Sequence, residues 1–206
     1  MLKVGLTGGI ASGKTFVGEA LASWGCYLIQ ADEIGRKVMA PDGEAYGGIV
    51  GEFGHEILTP EGTIDRPRLA AQVFQNPERL ARLNALVHPP VLRREDEMVA
   101  TFFARELHGI AVVEAAILIE TGSYRRYDKL ILVFSTAGQQ IERALRREGA
   151  VEADIRARID RQMPLEEKRK FADYVIDTSG TKEETLRQTR AVYEGLRQVE
   201  AEQRAC

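Results

Sequence analysis

Cysteine is scarce in this chain. Only Cys26 and Cys206 occur among 206 residues, too few for a disulfide-stapled fold of this length. Long apolar runs are missing as well, since no stretch reaches the ~18 apolar residues of a membrane span. The start of the chain lacks a basic segment followed by an apolar core, so no secretory leader is expected. Neither sign of charge dominates: 28 Lys and Arg against 31 Asp and Glu leave a net −3. That balance gives no global attraction to nucleic acid or anionic lipid, so any polyanion must be met locally. There is no internal repeat and no low-complexity segment. The expectation is a single α/β protein in a reducing, cytoplasmic setting, without nucleic-acid or membrane partners, as a monomer or small homo-oligomer.

Five short apolar runs predict strands: Leu2–Leu6, Tyr27–Ile29, Ile110–Val113, Leu130–Phe134 and Tyr174–Ile176. They are continuous rather than alternating, as expected for strands of a parallel sheet covered on both faces. About 80 residues separate the second strand from the third, far more than one crossover needs. Asp65 and Asn76 are placed to cap two helices there, each with a proline in its first turn. The second of these is expected to stop at His88, before Pro89 and Pro90, with a third helix from Val91 onward. A second insertion precedes the last strand and is rich in arginine. Thr181 and Glu184 have capping-box spacing before the final helix.

The stretch Gly8-Gly9-Ile10-Ala11-Ser12-Gly13-Lys14-Thr15 fits G-x-x-x-x-G-K-[ST]. Chance alone produces that pattern in roughly one chain in a hundred of this length. Its chemistry is specific. Backbone N–H groups must converge on phosphate oxygens, and Gly8 and Gly13 keep side chains out of the way. Lys14 offers a point charge to the terminal phosphates, and Thr15 offers a hydroxyl to Mg²⁺. A helix from about Lys14 to Ser23 directs its positive end at the same anion. The guanine-reading N-K-x-D and the LSGGQ of transport ATPases are both missing. A small core with two insertions suits transfer of the γ-phosphoryl of ATP to a small molecule, with water excluded by a lid. Asp32 follows the second strand and is placed to take the acceptor's proton; the competing role is N-cap of a helix through Ile34–Met39. Glu33 reads as a first-turn helix carboxylate.

Together "LTGGIASGKT", "ADEIGR", "FGHEILTPEGTIDRPRLAAQVF", "LNALVHP" and "RIDRQMPLEEKRKFADYVIDTSG" resemble the dephospho-coenzyme A kinase family, from Met1 to about Gly180. The resemblance implies ATP-dependent phosphorylation of the ribose 3′-hydroxyl of dephospho-CoA, the last step of coenzyme A synthesis. It implies a three-layer nucleoside-monophosphate-kinase-like α/β fold with a five-stranded parallel sheet. The core would be 1–32, 108–138 and 172–206, the helical CoA-binding insertion 33–107, and the Arg-rich lid 139–171. ATP would be held by Gly8, Gly9, Ala11, Ser12, Gly13, Lys14, Thr15, Phe16 and Arg143, with Mg²⁺ on Thr15 and on Glu114 through water. Asp32, Lys14 and Arg147 would be catalytic, and Asp32, Arg66 and His88 would meet dephospho-CoA. Gln30, Glu114, Ala116, Thr178 and Phe16 depart from the residues usual in the family. On the residues alone, another small-molecule or nucleoside-monophosphate kinase, or a nucleotide-gated binding protein with slow ATP hydrolysis, stays open.

Overall fold

The computed structural model describes residues 1–73, 76–106, 108–146 and 151–205. The five apolar runs become β1 (Leu2–Gly8), β2 (Tyr27–Gln30), β3 (Ile110–Glu114), β4 (Lys129–Phe134) and β5 (Tyr174–Asp177). They form one parallel sheet in the order β2-β3-β1-β4-β5. β1 lies at the centre, with Leu2 opposite Ile110 and Val4 opposite Lys129. Central strands are hidden on both faces, so their apolar runs need no alternation: all five residues of β3 are buried.

One face of the sheet is covered by α1 (Lys14–Ser23) and α9 (Lys182–Ala205). Val17 and Leu21 of α1 and Val192 and Leu196 of α9 close over Leu2, Val4, Leu6, Val112 and Ile131. On the other face Leu118, Ile119 and Leu130 form a smaller cluster joined by Tyr124, Tyr127 and Met163. The expected capping box holds: the Thr181 N–H donates to Glu184 Oε2 at 2.7 Å, and the Glu184 N–H donates to Thr181 Oγ1 at 3.1 Å. The arginine-rich stretch folds as α6 (Ala137–Leu145), α7 (Glu152–Asp160) and α8 (Leu165–Arg169). Thr136 and Gln139 cap α6 reciprocally, a second capping box.

The chain divides into two units, Met1–Ile29 with Val99–Cys206, and Gln30–Met98. The second contains α2 (Ala31–Val38), α3 (Tyr46–Phe53), α4 (Arg66–Val73) and much of α5 (Pro77–Arg105). Its core is Ile34, Val38, Ile49, Phe53, Ile57, Leu69 and Val73. Asp65 caps α4 through the Arg68 N–H at 3.0 Å, and Asn76 caps α5 through the N–H groups of Glu78 and Arg79, both at 3.1 Å. Glu44 is gripped by Arg93 and Arg94, whose hydrogen bonds hold its carboxyl below the usual carboxylate range.

One expectation fails, and so does the competing role offered for Asp32. The helix does not stop at His88: α5 runs on through Pro89 and Pro90 to Arg105. Proline's own φ is helical, so the chain can continue at the loss of two intrahelical N–H bonds and some strain on the residue before each proline. Buried Pro90, Glu95 and Val99 tie the following turns into the fold. In addition α2 begins at Ala31 rather than Ile34. Gln30 occupies its N-cap position, without a side-chain capping bond to the helix, so Asp32 is not the cap.

Candidate active site

β1 delivers the glycine loop to the sheet's C-terminal edge, where open α/β sheets receive ligands. At Gly8 a Cβ would fall 2.0 Å from the carbonyl oxygen of Val133, so the neighbouring strand excludes any side chain. Gly13 turns the chain into α1 at φ +90°, a left-handed conformation that glycine adopts freely. Ala11 also lies in that region, at φ +50°. α1 has no side-chain cap and no acidic residue in its first turn. No side chain therefore competes with an anion for its positive end.

Lys14 folds back over the loop, its Nζ donating to the carbonyls of Gly8 at 3.1 Å and Gly9 at 2.9 Å. The hydroxyl of Thr15 donates to Glu114 Oε1 at 2.9 Å. Glu114 ends β3 and is buried, and its carboxylate reaches the loop. Ser12 is wholly buried, and its Oγ has no hydrogen-bond partner among the described residues. Phe16 sits beneath Lys182, whose Nζ lies 5.9 Å from the ring centre.

Thr178 braces the loop from β5. Its hydroxyl donates to Ser12 O at 2.7 Å and receives Arg143 Nη1 at 3.0 Å, while Arg143 Nη2 donates to Thr178 O at 2.7 Å. Arg143 therefore stands at the phosphate loop; Arg147 lies outside the described residues. Asp32 is an exposed second residue of α2, directly after β2. Arg66 opens α4 and is exposed, and His88 is half-buried in α5, where burial lowers its pKa. Within the second unit Arg66 lines a cavity of about 260 Å³ together with Arg36, Met39 and Ile64. Arg36 was visible only as part of "ADEIGR".

The donor set suits a hard cation. A threonine hydroxyl and a carboxylate are oxygen ligands, and no cluster of three or more His, Cys, Asp or Glu side chains fit for a metal occurs among the described residues. Mg²⁺ in nucleotide sites is held this way, by one or two protein oxygens with phosphate and water supplying the rest.

A parallel sheet ordered 2-3-1-4-5, with a glycine loop, lysine and Thr–carboxylate pair where β1 meets α1, defines a P-loop kinase. The family model for dephospho-CoA kinase matches residues 2–184. The chain belongs to the dephospho-CoA kinase family. A dephospho-CoA kinase of Thermobifida fusca is 45% identical over 196 residues, covering 95% of this chain and 96% of its own. A solved protein of Thermus thermophilus is 31% identical with a TM-score of 0.79, covering 95% of this chain and 97% of its own. Campylobacter jejuni dephospho-CoA kinase has the same fold, with a TM-score of 0.61 at 24% identity over 94% of this chain and 96% of its own. No helix among the described residues is long and apolar enough to cross a membrane.

Proposed function

We propose that this chain transfers the γ-phosphoryl group of ATP to the ribose 3′-hydroxyl of dephospho-CoA, releasing coenzyme A and ADP. The observation that carries this reading is the phosphate loop with Lys14 on its carbonyls and Thr15 on Glu114, in a chain of this family. The backbone of Gly8–Thr15 cradles the triphosphate, and Lys14 swings from its carbonyls to the terminal phosphates as charge develops there. Thr15 and Glu114 would hold Mg²⁺, which would neutralise phosphate charge. Asp32 orients the acceptor hydroxyl and takes its proton. Arg66 and His88 bind dephospho-CoA, with Arg36 beside Arg66.

In this reading 1–32, 108–138 and 172–206 are the catalytic core, 33–107 binds the CoA portion, and 139–171 closes as a lid. Arg143 meets the nucleotide from α6, and Arg147 is a further catalytic residue. The reaction belongs in the cytoplasm, with no nucleic-acid or membrane partner, in a monomer or small homo-oligomer. One assay tests the activity: ADP release with Mg²⁺ and ATP, in the presence of dephospho-CoA, of AMP, or of no acceptor. Turnover is expected only with dephospho-CoA. Equal release without an acceptor would make the chain a nucleotide hydrolase instead.

A further inference from the structure

The segment that leaves β3 touches two regions a kinase must keep in register. At its start, Glu114 Oε1 receives the Thr15 hydroxyl, and Ala116 O receives that of Thr7 at 3.3 Å. Further on, Glu120 Oε1 receives the Met163 N–H at 3.4 Å and lies 2.7 Å from Lys168 Nζ. One carboxylate thus holds both ends of the 163–168 turn, which runs from the residues before α8 into the helix itself. Between the two attachments Leu118 and Ile119 pack on Leu130, and Met163 packs on the same cluster. The segment is a packed strut from the phosphate loop to the 163–168 turn.

That turn forms one wall of a cavity of about 290 Å³ whose lining includes Gly9, Gln140, Gln162 and Lys168. A Cβ on Gly9 would stand 3.2 Å from Gln162 Oε1 and 3.0 Å from Gln140 Nε2. The amide of Gln162, the residue just before the pinned turn, therefore rests over the phosphate loop. The pair that pins the turn is deeply placed, with side-chain exposures of 4% for Lys168 and 20% for Glu120. It is also poorly satisfied: Glu120 Oε2 and the Lys168 ammonium make no aligned hydrogen bond, although the charges touch. Apolar residues of equal size commonly hold such a place as well or better. Packing alone does not account for this pair, whereas a need for fixed orientation does.

We propose that Glu120 and Lys168 are positioning residues for phosphoryl transfer: they pin the 163–168 turn to the strut and so hold the Gln162 side chain against Gly9 of the phosphate loop. The proposal rests on the kinase reading above. Misplacement of the phosphate loop and the side chain packed on it acts on turnover more than on ground-state binding.

The test compares the full-length protein with Lys168→Met, Glu120→Met, the double variant and Gln162→Ala. Each single change in the pair leaves a buried charge alone and is expected to lower both Tm and kcat, kcat at least tenfold. The double variant removes both charges and keeps the volume. Its Tm is expected to return to within a few degrees of wild type while kcat stays at least tenfold down, with KM for ATP within about threefold. Gln162→Ala is expected to reproduce the kcat loss at unchanged Tm. A double variant that recovers kcat along with Tm would overturn the proposal, as would a loss confined to KM. If the singles do not fold, the double variant and Gln162→Ala decide. Wild-type turnover run alongside tests the kinase reading separately, and the variants are read on whichever acceptor it uses. Amide exchange at Met163 in the double variant needs no acceptor; it is expected to be at least tenfold faster than in wild type, and unchanged exchange would overturn the pinning.

Discussion

Asp32 lies in the first turn of α2 with Gln30 at the cap, so its carboxylate is not committed to a capping bond. Asparagine in its place loses only the attraction of a first-turn acid to the helix dipole, about half a kcal/mol. It cannot accept the ribose proton. Asp32→Asn is therefore expected to keep Tm within a few degrees and lose roughly 10²- to 10⁴-fold in kcat, measured by ADP release with dephospho-CoA. Normal turnover in a folded Asp32→Asn enzyme would move the base elsewhere. Thr178→Val tests a different kind of residue. Thr178 is buried, and its hydroxyl joins Ser12 O, Phe134 O and Arg143. Removing it strands several groups and is expected to cost about 1–3 kcal/mol in urea denaturation while weakening ATP binding. His88 carries a pH signature. Burial lowers its pKa below the ordinary 6.5, so between the lowered value and 6.5 the unfolded chain binds the proton more readily. That contribution is whole above pH 6.5 and is lost as pH falls through the lowered value. The urea midpoint is expected to drop from pH 7 to pH 5, and His88→Asn to flatten the drop.

α5 carries the largest departure from expectation because the Pro89–Pro90 pair is a local signal, and local signals lose where later turns are held by packing. Both prolines lie inside the helix and withhold N–H groups from it. Pro89→Ala is expected to restore one such bond and raise stability by about 1–3 kcal/mol in urea denaturation, with helix content unchanged by circular dichroism. A fall in stability would mean that the proline is needed to shape the helix. The caps were legible for the opposite reason: Asp65, Asn76 and Thr181 act on groups two or three residues away. The phosphate loop was legible on the same grounds, since its chemistry requires consecutive residues. The Thr178 brace was not, because 166 residues separate it from Ser12 and only the folded sheet joins them. Glu120 and Lys168 were hidden likewise, one reading as the end of an apolar run and the other as one of many basic residues on a solvated helix.

A ligand that binds the folded chain and not the unfolded one stabilises the fold. ATP with Mg²⁺ at a hundred times its dissociation constant is expected to add about 2.7 kcal/mol, seen as a rise in Tm. Chelating the metal should remove much of the rise, and Lys14→Ala should blunt it without lowering the Tm of the free protein. An identical shift in Lys14→Ala would place the nucleotide elsewhere. The sheet order has a further consequence, for synthesis. Leu2 pairs with Ile110 and Val4 with Lys129, so the central strand leaves the ribosome roughly a hundred residues before either neighbour. At about 5–20 residues per second that is a wait on the order of ten seconds. Throughout it, β1 and the apolar side of α1 have no sheet to join, while the Gln30–Met98 unit, which has its own buried core, is completed. A nascent chain halted near residue 105 would carry that unit together with an unpaired strand, the species in which a holdase chaperone would find its substrate.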